Sequence, residues 1–477
     1  MNLREAVRDE VFTELSGAAA DLGVRAFVVG GYVRDYLLHR RVKDIDVVVE
    51  GKGIALAQRF AERIAAKDVT MFENFGTAMV RYQDYEVEFV GARKESYRRN
   101  SRKPIVEEGS LYDDQLRRDF TINAMSISLQ EANLGTLIDP FEGLQDLDQG
   151  IIRTPQDPDI TFSDDPLRML RGIRFATRLG FEIEAKTLEA MERNRDRIKI
   201  VSAERIADEI NKTILTRLPS TGFKLMMNTG LLPIFFPELA NMKGVDRVKG
   251  RGHKDNFYHT LQVLDNVAAE SEDLWLRWVA ILHDIAKPLT KRFDPQQGWT
   301  FHGHEDKGAR MVPKIFRRMK LPLNDHMKYV QKLVRLHQRP IALVTEEVSD
   351  SAIRRLIVEA GEDLDDLLLF CRADITSKNE RKVERFLQNY AELEQRIQEV
   401  MERDNLRNWQ PPVDGNLIME TFGLAPGRSV GQIKNDIREA ILEGIIPNDR
   451  EAALDYMYQI APNYLSAEQL AKMKRRP

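Results

Sequence analysis

Near Pro166 the hydrophobic pattern of this chain changes period, and that change constrains the fold more than any other feature. Before it, apolar residues alternate or run in short blocks broken by turns. After it, they recur at helical spacing and strand signals largely disappear. Residues 1–23 read as an amphipathic helix. AFVVGG (26–31) reads as a buried strand ending in a glycine turn, followed by a helix over YVRDYLLHR. DIDVVVEG (44–51) is a second strand and IALAQRFAERIAA a second helix. TAMVRYQ and YEVEFVGAR alternate with period two as further strands. Residues 91–114 read as a mobile loop, and 408–416 as a linker. The pattern predicts an α+β fold: a mixed-sheet head, then helices to the end. At roughly 100–200 residues per domain, the length allows about four units. The expected boundaries are 1–138, 139–240, 241–405 and 406–477.

Composition narrows the function classes. Apolar residues make up 43% and charged ones 31%, which excludes a disordered chain. The net charge of −4 excludes a strongly basic nucleic-acid coat. Yet charge is uneven: residues 1–150 carry 20 basic against 26 acidic residues, and 301–340 carry 10 against 3. The single cysteine, Cys371, excludes a disulfide framework and a cysteine zinc site. No signal peptide and no membrane span are expected, which suits the cytoplasm.

One constellation points to a nucleotide. Gly30-Gly31 follows an apolar strand and opens a helix carrying Arg34, a cradle suited to phosphate. On the next strand Asp44 and Asp46 share a face, and two adjacent carboxylates beside phosphate suit Mg²⁺. Glu86 and Glu88 repeat that spacing, and Glu88 is either a third carboxylate or surface alternation. The basic pair Arg117-Arg118, with Asp119 and Asn123 as side-chain hydrogen-bonders, suits a ribose and triphosphate. In DDPLRMLRGIRFATRLGF (164–181), Arg168, Arg171, Arg174 and Arg178 share one helix face with no acid among residues 166–181, so an anion is expected there. The structural alternatives are a solvated arginine face and a helix cap at Asp165-Pro166.

GGYVRD (30–35), DID (44–46), RRDFTINAM (117–125), DPFEGLQDL (139–147), DDPLRMLRGIRF (164–175) and ERIADEI (204–210) resemble, in order, the motifs of class II tRNA nucleotidyltransferases. These are the CCA-adding enzymes, with bacterial poly(A) polymerases as close relatives. The resemblance implies a polymerase beta-like nucleotidyltransferase head, helical neck, body and tail. It implies that Asp44 and Asp46 hold catalytic Mg²⁺, and that Gly31 and Arg34 contact nucleotide phosphates. Arg118 and Asp119 would lie near the ribose. Asp165 and Arg168 would read the base edge of CTP or ATP, with Arg171 and Arg174 completing the site. The family usually has Glu-Asp where this chain has Asp164-Asp165. Residues 91–114 resemble the family's flexible loop, tied to the switch from CTP to ATP, and look complete. The implied partners are tRNA, CTP and ATP, with no membrane and no protein partner.

A second constellation gathers seven of the eight histidines between residues 253 and 337. His259, His283-Asp284, His304, His337 and Asp374 resemble the H…HD…H…H…D series of HD phosphohydrolases, with AILHDIAKP (280–288) as its signature. Imidazole and carboxylate together suit a divalent transition metal that activates water. His253 and His302 fit no slot. The expected function is therefore CCA addition to tRNA 3′ ends, with a possible HD phosphohydrolase activity. The alternatives are a poly(A) polymerase, a partial (CC- or A-) adding enzyme, or chiefly an HD hydrolase with an RNA-binding head. Residues 381–477 balance 14 bases with 15 acids, unlike the basic extension of poly(A) polymerases.

Overall fold

The computed structural model describes the chain except residues 67, 74–75, 97–104, 249–250, 253, 346–347, 377–378, 405, 407–408, 410–411 and 472–477. It divides into two units, Met1–Ala240 and Asn241–Pro477.

In the first unit, helix α1 (Glu10–Leu22) leads into strand β1 (Ala26–Val29), helix α2 (Gly31–Leu37), strand β2 (Asp44–Val49) and helix α3 (Gly53–Arg63). Strands β3 (Thr70–Phe72), β4 (Thr77–Tyr82) and β5 (Tyr85–Gly91) follow. A hairpin of β6 (Arg93–Ser96) and β7 (Ile105–Glu108) comes next, then α4 (Leu111–Leu116), β8 (Ser126–Ser128) and β9 (Leu137–Ile138). Seven strands form one sheet in the order β3-β4-β5-β2-β1-β8-β9. Only the β2–β5 pair is parallel, and it sets Asp44 opposite Glu86 and Asp46 opposite Glu88. Strand alternation does the sorting. Ile45, Val47, Val49, Val87 and Phe89 turn to one face, where Phe12 and Leu15 of α1 and Leu56 and Phe60 of α3 bury them. The acids turn to the other face.

Helices complete this unit: α5 (Gly143–Gln149), α6 (Pro158–Asp164), α7 (Leu167–Leu179), α8 (Ala185–Asn194), α9 (Ala203–Ile214) and α10 (Pro219–Asn228). The α7 helix packs against α9 and α10, burying Met169, Leu170 and Ile173.

In the second unit, the helices Asn256–Glu270, His304–Met319 and Leu364–Asp374 carry His259, His304 and Asp374, while His283 and His337 cap the C-terminal ends of Leu274–Leu282 and Asp325–Leu336. The 24-residue helix Glu380–Arg403 follows. Ile418, Phe422, Ile433, Ile437 and Met457 then build a separate core near the C-terminus. No helix among the described residues is long and apolar enough to cross a membrane.

Two expectations need correction. The described parts of 91–114 are not an irregular loop: β6 pairs with β7, and Ser110 with Asp113 closes a capping box on α4. The basic residues Arg98, Arg99, Arg102 and Lys103 lie outside the described residues. Strands also do not end at Pro166, because short two-stranded ladders recur at Ile151–Ile152 with Glu182–Ile183, and at Arg292–Asp294 with Gly298–Thr300. These pieces are too short to show a period-two pattern.

Candidate functional sites

The first site is a cavity of 670 Å³ on the acidic face of the sheet. Asp44, Asp46, Glu86 and Glu88 line it together with Arg34, Arg118, Arg171 and Arg174. Gly30 makes the approach possible. Its φ is +71°, and a Cβ there would lie 2.9 Å from Arg118 Nη1 and 3.6 Å from Asp46 Oδ2. Burial raises the Asp46 carboxyl above its usual range; the Asp44 charge adds to this, while Arg118 opposes it. Burial, then the Asp46 charge, raises Glu88 as well. Carboxylates that resist ionising together are a donor set that a divalent cation relieves, so these residues fit Mg²⁺.

Each cation is anchored by the protein. Arg34 donates to Asp35 at 2.7 and 2.9 Å and to Asn123 Oδ1 at 2.6 Å. Arg118 donates to the fully buried Asp114 at 3.0 Å, and Arg117 holds that carboxylate's other oxygen. Arg171 donates to Asp119 at 2.7 Å, and Arg174 to Glu209 at 2.6 Å. The arginine face of α7 thus meets acids after all, supplied by other elements. Burial disfavours a charged Asp119, but Arg171 and the Asn123 hydrogen bond outweigh it and hold the carboxyl at about 2. Both Asp119 oxygens are engaged, one by Phe120 N and Asn123 and one by Arg171.

Gly31, Arg34, Asp44, Asp46, Arg118, Asp119, Arg171 and Arg174 all line this cavity; Asp165 and Arg168 are not among its lining residues. Asp165 Oδ1 accepts from Leu167 N at 3.2 Å and Oδ2 from Arg205 at 3.2 Å. Arg168 Nη2 donates to Arg117 O at 2.7 Å, and its buried Nη1 has no partner among the described residues. Sequence reasoning missed Asp114, Phe175 and Glu209. Phe175 and Glu209 lay within recognised motifs, whereas nothing local marked Asp114.

The second site, in the other unit, is a buried nest of imidazoles around Asp284. Asp284 Oδ2 lies 3.2 Å from His283 Nε2 and 3.5 Å from His259 Nε2, and Asp374 Oδ1 lies 3.0 Å from His259 Nε2. Asp284 Oδ1 lies 3.3 Å from His304 Nε2, which is 3.2 Å from His337 Nε2. Five of the six expected residues form two groups joined by Asp284, His259 and His283 in one and His304 and His337 in the other, and Asp374 reaches the first group through His259 and His283. The Nδ1 atoms of His283, His304 and His337 face the carbonyls of Ala280, Phe301 and Val334 at 2.7–2.8 Å. A carbonyl only accepts, so Nδ1 carries the proton and Nε2 offers its lone pair inward. Burial pushes His337 down to about 3, which keeps it neutral. His283 Nε2, Asp284 Oδ1 and Asp374 Oδ1 are buried without hydrogen-bond partners among the described residues. Such a donor set fits a divalent metal, and the bridging Asp284 suits a pair. Lys287 donates to Asp284 Oδ2 at 2.6 Å. His302 is exposed, and His253 lies outside the described residues.

Three family models match in order along the chain. Residues 26–153 match the poly A polymerase head domain, 180–243 the probable RNA and SrmB-binding site of polymerase A, and 256–377 the HD domain. An A-adding tRNA nucleotidyltransferase of Deinococcus radiodurans is 30% identical over 438 residues, spanning 90% of this chain and 94% of that protein. The chain belongs to the tRNA nucleotidyltransferase family. It is a nucleotidyltransferase with an HD domain. A multifunctional CCA protein of Shewanella frigidimarina is 30% identical over 365 residues, 74% of this chain and 84% of that one. The fold matches a Thermotoga maritima CCA-adding enzyme complexed with tRNA, with a TM-score of 0.63 at 19% identity, over 96% of this chain and 99% of that one.

Proposed function

We propose that this enzyme completes tRNA 3′ ends with CCA, drawing on CTP and ATP in the cytoplasm. The observation that carries the reading is one cavity lined both by the β2 and β5 carboxylates and by arginines held on protein acids. The tRNA 3′-oxygen forms a bond to the α-phosphorus as the bond to pyrophosphate breaks. Mg²⁺ held by Asp44 and Asp46 would lower the hydroxyl's pKa and neutralise the leaving charge. Gly31 and Arg34 would seat phosphates, Arg171 and Arg174 would complete the nucleotide site, and Arg118 with Asp119 would lie by the ribose. Asp165 and Arg168 would read the base edge, because a base that leaves their hydrogen bonds unmade is penalised. The four-part division 1–138, 139–240, 241–405 and 406–477 assigns catalysis to the head, nucleotide and RNA contacts to the neck, the metal nest to the body, and a helical tail.

A second reading is addition of the terminal A alone. The A-adding relative spans 90% of the chain against 74% for the CCA protein. We further assign to the nest of His259, His283, Asp284, His304, His337 and Asp374 a divalent-metal phosphohydrolase activity. Sequencing products from tRNAs ending before CCA or after CC, with CTP, ATP or both, tests the choice. CCA supports the first reading, A on CC-ended tRNA alone supports the second, and an A-tail or no extension refutes both.

A further inference from the structure

We propose that Phe175 is a positioning residue for the incoming nucleotide, its ring setting the spacing of three arginines of the nucleotide site, Arg34, Arg171 and Arg174. The inference rests on the transferase reading of this cavity. Phe175 lies on α7, is 5% exposed and lines the cavity. Its ring centroid is 5.1 Å from Arg34 Cζ, 5.5 Å from Arg171 Cζ and 4.3 Å from Arg174 Cζ. Three guanidiniums from two helices therefore share one aromatic ring.

Each of those cations is held twice. A carboxylate takes its edge: Asp35 for Arg34, Asp119 for Arg171 and Glu209 for Arg174. The ring then attracts each guanidinium through its quadrupole. An aliphatic side chain could fill the same volume but would not counter the mutual repulsion of three cations. The ring itself is fixed. Phe120 meets it edge-on at 6.0 Å and 78°, and Phe120 is in turn locked where a Cβ on Gly172 would come within 2.8 Å of it. Spacing between arginines is what a triphosphate reads, because its oxygens accept directional N–H bonds. Phe175 acts through them.

The test replaces Phe175 with phenylalanines carrying one, two and three ring fluorines, which drain the quadrupole and change the shape little. KM for CTP and ATP should rise stepwise, to about tenfold in total, with kcat within about threefold and the melting temperature unchanged. Phe175→Leu should match the trifluoro form; the fluorine series decides if that variant fails to fold. A KM that stays flat across the series in an active enzyme overturns the role of the ring alone. A wild-type protein that extends no RNA removes the transferase reading, and this proposal with it.

Discussion

Asp119→Asn should cost the first unit about 2 kcal/mol at neutral pH, and the cost should shrink in acid. Asp119 is 8% exposed and accepts from Phe120 N, Asn123 Nδ2 and two Arg171 nitrogens. Its carboxyl sits at about 2, below the ordinary 3.8. That depression of about 1.8 units, at ~1.4 kcal/mol per unit, is worth ~2.4 kcal/mol. Arg171 is raised by the same ion pair, so its shift adds nothing further. A depressed carboxyl contributes its full stability above 3.8 and loses it as pH falls through 2. At pH 3 about half should remain, ~1.3 kcal/mol. Hydrogen exchange of the β1 and β2 amides against urea reports this unit without the other. A gap between wild type and variant that stays constant from pH 7 to pH 3 would refute the reasoning, since charge would then not be its source. So would a gap below about 0.5 kcal/mol at pH 7.

Three further outcomes follow from the geometry. Asp165→Ala removes the carboxylate that accepts from Leu167 N and Arg205 and should blur CTP against ATP selection at least tenfold; competition assays with both nucleotides would show unchanged selectivity if the base-reading role is wrong. Glu209→Gln leaves Arg174 buried without a counter-charge. It should lower stability by about 3 kcal/mol and raise nucleotide KM, measured by thermal unfolding and initial rates. His283→Ala combined with Asp284→Ala should abolish divalent-metal binding in the second unit, read by elemental analysis, and leave nucleotide addition within about twofold.

Local periodicity explains what the sequence revealed and what it hid. Asp44 and Asp46 were legible because an i, i+2 pair shares a strand face regardless of its neighbours. The parallel pairing that sets Glu86 and Glu88 beside them depends on a register between distant segments, and no local pattern encodes it. The arginine face of α7 was equally legible, yet its counter-charges, Asp119 and Glu209, arrive from other elements. Clustering announced the histidines, but only the fold divides them around Asp284. Ser126–Ser128 escaped notice as a strand because buried serines lack an apolar signature; Gln115 satisfies Ser126 at 3.0 Å. The hairpin of β6 and β7 hid inside a charged segment that reads as loop.

The central claim is that the β2 carboxylates serve chemistry and not RNA affinity. The direct measurement compares Asp44→Ala and Asp46→Ala with wild type in nucleotide addition and in tRNA binding, on the same preparations. Addition should be abolished while the dissociation constant for tRNA stays within about threefold. Parallel loss of addition and binding in folded protein would contradict it.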